Sequence, residues 1–200
     1  MKEIYLISIL YLLAAARLLT SLFRKRIPCT LRSHLKEYLD SFMMAGMTAM
    51  LLITYVARSF YIPSESMLPT LLVNDYILVN RFVYVFSEPS RGDIVVFHPP
   101  HIQDSETNFI KRVVALENDV VEVSDGILYL NGAPQNEPFI KEAIEKDFHA
   151  YRVPPGHIFV MGDNRNNSDD SRYWGPLPLK NVQGKAFVIF WPFHRIRHLR

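Results

Sequence analysis

Ile62-Pro63-Ser64-Glu65-Ser66-Met67-Leu68-Pro69-Thr70-Leu71 divides the chain, with apolar and basic sequence before it and short β-patterned runs after it. Pro63 and Pro69 fix φ and bias their predecessors away from the helical region, so the segment between them is expected to be extended. Ser64 and Ser66 would then project from one side. Two hydroxyls on one side suit a nucleophile with an oxyanion donor next to it. The competing reading is a polar loop flanking a membrane, because short serine motifs arise by chance.

Downstream the pattern is β. The runs 75–80, 94–97, 109–116, 120–123 and 127–130 are rich in Val, Ile, Tyr and Phe, and Gly, Pro or Asn punctuates several of their ends. Asp125-Gly126 and Asn131-Gly132 predict tight turns within a meander. Further strands are expected over 151–153, 157–161 and 185–191, and a short helix over 141–148.

A serine hydroxyl needs a base to take its proton. The seven histidines lie in no recognisable serine-hydrolase context, no Gly-x-Ser-x-Gly elbow surrounds Ser66, and Pro69 stands where a Ser-x-x-Lys motif needs its lysine. Lys111, inside Phe109-Ile110-Lys111-Arg112-Val113-Val114-Ala115, is the other candidate. Desolvation in an apolar strand lowers a lysine's pKa toward the range of a general base, and Arg112 on the opposite face would disfavour the ammonium further. A snorkelling or solvated edge lysine is the alternative.

Four stretches taken together resemble the boxes of type I signal peptidases, the membrane-bound leader peptidases of bacteria. They are 63–71, Arg91-Gly92-Asp93-Ile94-Val95-Val96-Phe97, 109–115 and Gly162-Asp163-Asn164-Arg165-Asn166-Asn167-Ser168-Asp169-Asp170-Ser171-Arg172. They occur in the family's order, and the resemblance runs from about Phe42 to Trp191. It implies a serine endopeptidase that removes signal peptides at Ala-x-Ala-like sites through a Ser66–Lys111 dyad. It also implies a mainly β catalytic domain of coiled antiparallel sheets, a fold shared with the Ser-Lys self-cleaving repressors. Ser64 and the Ser66 N–H would form the oxyanion hole, Ser168 would hydrogen-bond Lys111, and Asp170 with Arg172 would form a supporting ion pair. Asp163, Arg165 and Arg112 would stand behind them. Ile62, Met67 and Val113 are candidates for the walls of small apolar substrate pockets.

This chemistry requires neither a metal nor an organic cofactor. The Asp163–Asp170 run fails the calcium-loop register, with Arg165 at its third position and Ser168 where Gly is required. His98-Pro99-Pro100-His101 lacks a third ligand at motif spacing. Partners expected from the resemblance are signal peptides of secreted preproteins, the lipid bilayer and the nearby export machinery. The family's glycine-containing turn after the lysine is replaced by Leu116-Glu117-Asn118-Asp119, where Asn118 tolerates a left-handed bend.

Before the serine stretch, Ile4–Phe23 has about the length of a bilayer span. Arg24, Lys25, Arg26, Arg32 and Lys36 mark the following link as cytoplasmic by the positive-inside rule. A second apolar run, Phe42–Ala57, is short for a span, at roughly 24 Å of helix. The expected organisation is a first transmembrane helix over 1–23, a basic loop over 24–40, a second transmembrane helix over 41–59 and an extracytoplasmic β-rich catalytic domain over 60–200. The protein would be a multi-pass protein of the cytoplasmic (inner) membrane. With 22 Lys and Arg against 20 Asp and Glu, net charge +2, no nucleic-acid footprint is indicated. The single cysteine, Cys29, excludes an intrachain disulfide. The basic tail from Phe193 to Arg200 is read as a solvated terminus, with anionic headgroups as its other possible partner.

A peptide-binding β domain without catalysis, a Ser-Lys self-cleaving repressor, whose DNA-reading helical domain the N-terminal membrane signature replaces here, and a specialised peptidase for pilin or conjugation precursors are the alternatives. The first would not need Ser64, Ser66, Lys111 and Ser168 together.

Overall fold

The structure, a computed structural model, describes residues 11–18, 21, 28–51, 57–100, 102 and 107–199. Two compact units divide it, residues 1–56 and 57–200.

In the first unit, residues 11–18 are helical and α1 spans Cys29–Leu51. Arg17 Nε donates to Asp40 Oδ1 at 2.6 Å, tying the two helical stretches together. The sequence-based boundaries need correction at both ends. Much of the 24–40 link is helix from Cys29 onward, and residues 57–59, assigned above to the second span, lie in a strand. Because Lys36, Glu37 and Asp40 occupy its first half, the uncharged part of α1 from Ser41 to Leu51 is only roughly 16 Å long. Among the described residues no helix is long and apolar enough to cross a membrane. Most of the expected first span, Ile4–Phe23, and Arg24, Lys25 and Arg26 lie outside the described residues.

The second unit is mainly β. Its strands are β1 Ala57–Tyr61, β2 Tyr76–Asn80, β3 Ile94–Phe97, β4 Phe109–Ala115, β5 Val120–Ser124, β6 Ile127–Leu130, β7 Ala133–Pro134, β8 Phe148–Arg152, β9 His157–Met161, β10 Leu177–Pro178, β11 Val182–Trp191 and β12 Arg197–His198. All pairings are antiparallel. One curled sheet runs β1-β2-β11-β3-β4-β9-β10 with β12 on β11, and a smaller one runs β7-β6-β5-β8. The β5–β6 and β6–β7 turns carry positive φ at Asp125 and Gly126 and at Asn131 and Gly132, as tight hairpins require. Asn118 also adopts a left-handed φ of 67° at the bend after β4.

Three apolar clusters hold these layers. Ile62, Met67 and Leu71 pack with Ile77, Val96 and Ile110 in the first, so the serine stretch is fastened by its own side chains. Fully burying Met67 or Leu71 is worth about 1.5–3 kcal/mol each. That burial overrides the expectation of an extended segment between Pro63 and Pro69. Leu68 N–H donates to Glu65 O at 3.1 Å and Leu71 N–H to Met67 O at 2.9 Å, so the chain turns from Glu65 onward.

Two further expectations fail for tertiary reasons. Residues 141–147 form no helix, because Ile144 is drawn into the second cluster and its N–H donates to Gly126 O at 3.3 Å. The tail is not a solvated terminus. Arg197–His198 pairs with β11, Leu199 is buried with Met67 and Leu71, and Arg195 meets Asp75.

Candidate active site

Ser66 lies in the connection between β1 and β2, an edge hairpin whose ends are closed by Ile62 N–H to Asp75 O and Asn74 N–H to Ile62 O. Lys111 lies at the middle of β4, between β3 and β9, in a strand buried from Ile110 to Ala115. Lys111 Nζ donates to Ser66 Oγ at 2.8 Å across 45 residues of sequence, and the two residues are 4% and 9% exposed. Burial brings the Lys111 amine down to about 8 from its ordinary 10.5, against the opposing negative fields of Asp170, then Asp169, then Asp163. An amine so placed is partly neutral near pH 7–8, the form in which an amine has a lone pair free to accept a proton.

Ser64 Oγ lies 3.3 Å from Ser66 Oγ, just before and within the turn that starts at Glu65. The third component is the loop that leaves β9. Arg112 pairs with Met161 across β4 and β9, so Gly162 and Asp163 emerge beside the Lys111-Arg112 step. Asn164 N–H donates to Ser66 O at 3.0 Å and its side-chain amide to Glu65 O at 3.1 Å. A Cβ on Gly162 would stand 2.3 Å from Ser168 Oγ and 2.4 Å from Ser66 O, so glycine is required there by space.

Salt bridges fix this loop. Arg112 donates to both Asp163 oxygens at 2.8 and 2.7 Å and to Gly92 O at 2.8 Å. Asp170 caps the short helix α2, Ser171–Trp174, accepts from Gly162 N–H at 3.0 Å and receives Arg172 Nε at 2.9 Å. Arg165 is held by Glu137. Ser168 Oγ is buried and makes no hydrogen bond in the structure, so the expected bond to Lys111 is not formed in this conformation.

A cleft of ≈ 420 Å³ opens over Ser64, Ser66 and Lys111. Ile62 lines it, together with Phe60, Tyr61, Ile77, Val96 and Phe109, with Asn167 and Asp169 at its polar side. Met67 and Val113 are instead core residues, Met67 beneath the serine stretch and Val113 among Val95, Phe97 and Val160. Sequence reading missed the aromatic wall formed by Phe60 and Tyr61. It also missed Glu137, which lies outside the recognisable stretches. Among the described residues no three His, Cys, Asp or Glu side chains converge as for a metal, and His98 instead meets Gln183, while His101 lies outside them.

Residues 35–191 match the family model described as signal peptidase, peptidase S26. The chain belongs to that family. It is 47% identical over 166 residues to the probable signal peptidase I-1 of a Synechocystis species, covering 80% of this chain and 85% of that protein. Signal peptidase I of Leptolyngbya laminosa is 42% identical, covering 84% of this chain and 85% of its own length. The probable thylakoidal processing peptidase 2 of Arabidopsis thaliana is 46% identical, over 66% of this chain and 37% of that protein. Peptidase S26 members are serine endopeptidases that remove signal peptides, and this chain is one of them.

Proposed function

We propose that Ser66 is the nucleophile and Lys111 its general base in the cleavage of signal peptides from exported preproteins at Ala-x-Ala-like sites. The contact of 2.8 Å between a buried lysine amine and a serine oxygen supports this most directly. Neutral Lys111 takes the Ser66 proton as Oγ bonds to the scissile carbonyl carbon. The C–N bond then breaks, and Lys111 returns the proton to the leaving amine of the mature protein. The signal peptide stays esterified to Ser66 until Lys111 deprotonates a water that attacks the ester.

The Ser66 N–H and the Ser64 hydroxyl would stabilise the tetrahedral oxyanion, each such donor being worth about 2.7–4 kcal/mol of barrier. Asp163, Arg165, Asp170, Arg172 and Arg112 hold the loop and strand that flank the dyad, and Ser168 would hydrogen-bond Lys111 on a rotation of its side chain. The substrate would lie extended in the cleft, its small side chains against apolar walls that include Ile62.

We further propose membrane anchoring through the N-terminal unit, with the catalytic domain on the extracytoplasmic side of the inner membrane, near the export machinery. Support comes from the apolar length of Ile4–Phe23, the basic residues that follow it, and the exposed Phe42, Met44 and Met47 of α1.

A detergent-solubilised preprotein bearing an Ala-x-Ala site tests the substrate class by sequencing the product's new N-terminus. A cut after the second Ala is expected. A cut elsewhere would remove the small-residue specificity.

A further inference from the structure

Residues 135–145 run between β7 and β8 without regular secondary structure, yet they carry three separate attachments to the site. Glu137 accepts from Arg165 Nη1 and Nη2, both at 2.6 Å. Phe139 lies under the Arg112 guanidinium, 4.0 Å from ring centroid to Cζ. Asn166 accepts from Glu145 N–H at 3.0 Å and donates to Ala143 O at 3.0 Å. Ile144 anchors the segment from below in the second apolar cluster. A segment with so little repetitive hydrogen bonding is ordered chiefly by these contacts and by its burial.

Glu137 is the strongest of the three attachments. The Arg165 side chain is removed from solvent, and its Nε donates to Gly162 O at 3.0 Å. Gly162 in turn packs against Ser66 O and Ser168. The Arg165 carbonyl accepts from Arg172 Nη2 at 2.6 Å, which links the same residue to the Arg172–Asp170 pair. Arg165 is therefore the hub of the loop, and Glu137 satisfies the outer edge of its planar fork.

We infer that residues 135–145 form a strap that positions the site, with Glu137 as a positioning residue acting through Arg165 and Gly162 on Ser66 and Lys111. The inference rests on the Ser66–Lys111 reading. Without the Glu137 carboxylate the guanidinium loses its outer partner and the loop relaxes. A displacement of about 1 Å in a reacting group lowers a rate by about 10²-fold. Asp169 and Asp170 ride on this loop and Asp163 opens it, and the charges of all three act on Lys111, so its movement also alters the field at the amine. Arg112 is the nearby cation on the same strand, held by Asp163.

The test compares Glu137→Ala, Glu137→Gln, Ser66→Ala and the wild-type full chain on one preprotein, well below each melting temperature. Glu137→Ala is expected to lower kcat by roughly 10- to 100-fold with KM within about twofold, and to move the pH midpoint of kcat/KM. Glu137→Gln, which keeps one acceptor at the same reach, should recover much of kcat. Wild-type kcat and an unmoved midpoint in Glu137→Ala, with only a lower melting temperature, would reduce Glu137 to a stabilising contact and overturn the inference. Should Glu137→Ala not fold, Glu137→Gln decides by the same two readouts with a smaller fall. Cleavage retained by Ser66→Ala would sink the dyad itself, a result separable from either outcome at Glu137.

Discussion

Arg112 and Asp163 share two parallel hydrogen bonds, Nε to Oδ1 at 2.8 Å and Nη2 to Oδ2 at 2.7 Å, with both side chains out of solvent. The residue after the proposed base is thereby locked to the residue that opens the loop beside it. Removing one partner of a buried pair leaves an uncompensated charge, at a cost of roughly 3–5 kcal/mol. Asp163→Ala should therefore lower the urea midpoint steeply. Arg112→Lys should also be costly, because an ammonium cannot present the two-pronged fork. Either variant within about 1 kcal/mol of the wild type would contradict the assignment.

Asp75 and Arg195 are joined in the same way across 120 residues, at 2.8 and 2.9 Å, and Asp75 Oδ2 also accepts from Leu72 N–H. Arg197 donates to Thr70 O nearby. The tail thus braces both the backbone that follows Ser66 and the return into β2. Arg195→Ala leaves a buried carboxylate short of its cation, and a loss of roughly 3 kcal/mol is expected by denaturant titration. Activity should fall with it. A stable, fully active Arg195→Ala protein would mean that the tail braces nothing of consequence.

Lys111 makes a prediction about stability with a defined sign. Its amine stands at about 8 in the fold against 10.5 for the free side chain, so the native state disfavours the proton. Between those pH values the unfolded chain holds a proton that the native chain has released, and stability rises with pH across the window. Below it the full penalty applies, on the order of 3 kcal/mol from the size of the displacement. Lys111→Met should be more stable than the wild type at pH 7, with the two curves converging above about pH 10.5. Parallel curves would show that burial does not penalise this amine.

Much of the β architecture was legible because its signals are local. Asp125-Gly126 and Asn131-Gly132 specify tight turns whatever surrounds them. The runs containing Val95 and Val160 are apolar on both faces, as strands packed between layers must be. Ser66 and Lys111 were legible through the resemblance of the stretches around them, and their placement in contact is consistent with that reading. What escaped the sequence was set by distant partners. Glu137 and Arg195 find their partners 28 and 120 residues away, which no short window reveals. The predicted helix over 141–148 was lost to attachments at Gly126 and Asn166, where tertiary contacts outweigh a weak propensity. The turn at Glu65 likewise follows from burying Met67 and Leu71, a requirement of the folded core.

In the proposed mechanism a lysine desolvated in a β-strand activates Ser66. The most direct measurement is the pH dependence of kcat/KM for preprotein cleavage by the wild type, with Ser66→Ala and Lys111→Ala measured alongside. The wild-type rate should climb on an ascending limb with an apparent pKa of about 8, as the Lys111 amine loses its proton. Both substitutions should lower it by at least about 10³-fold. Undiminished cleavage by Lys111→Ala, or an ascending limb that persists unchanged without the lysine, would contradict the account and place the base elsewhere.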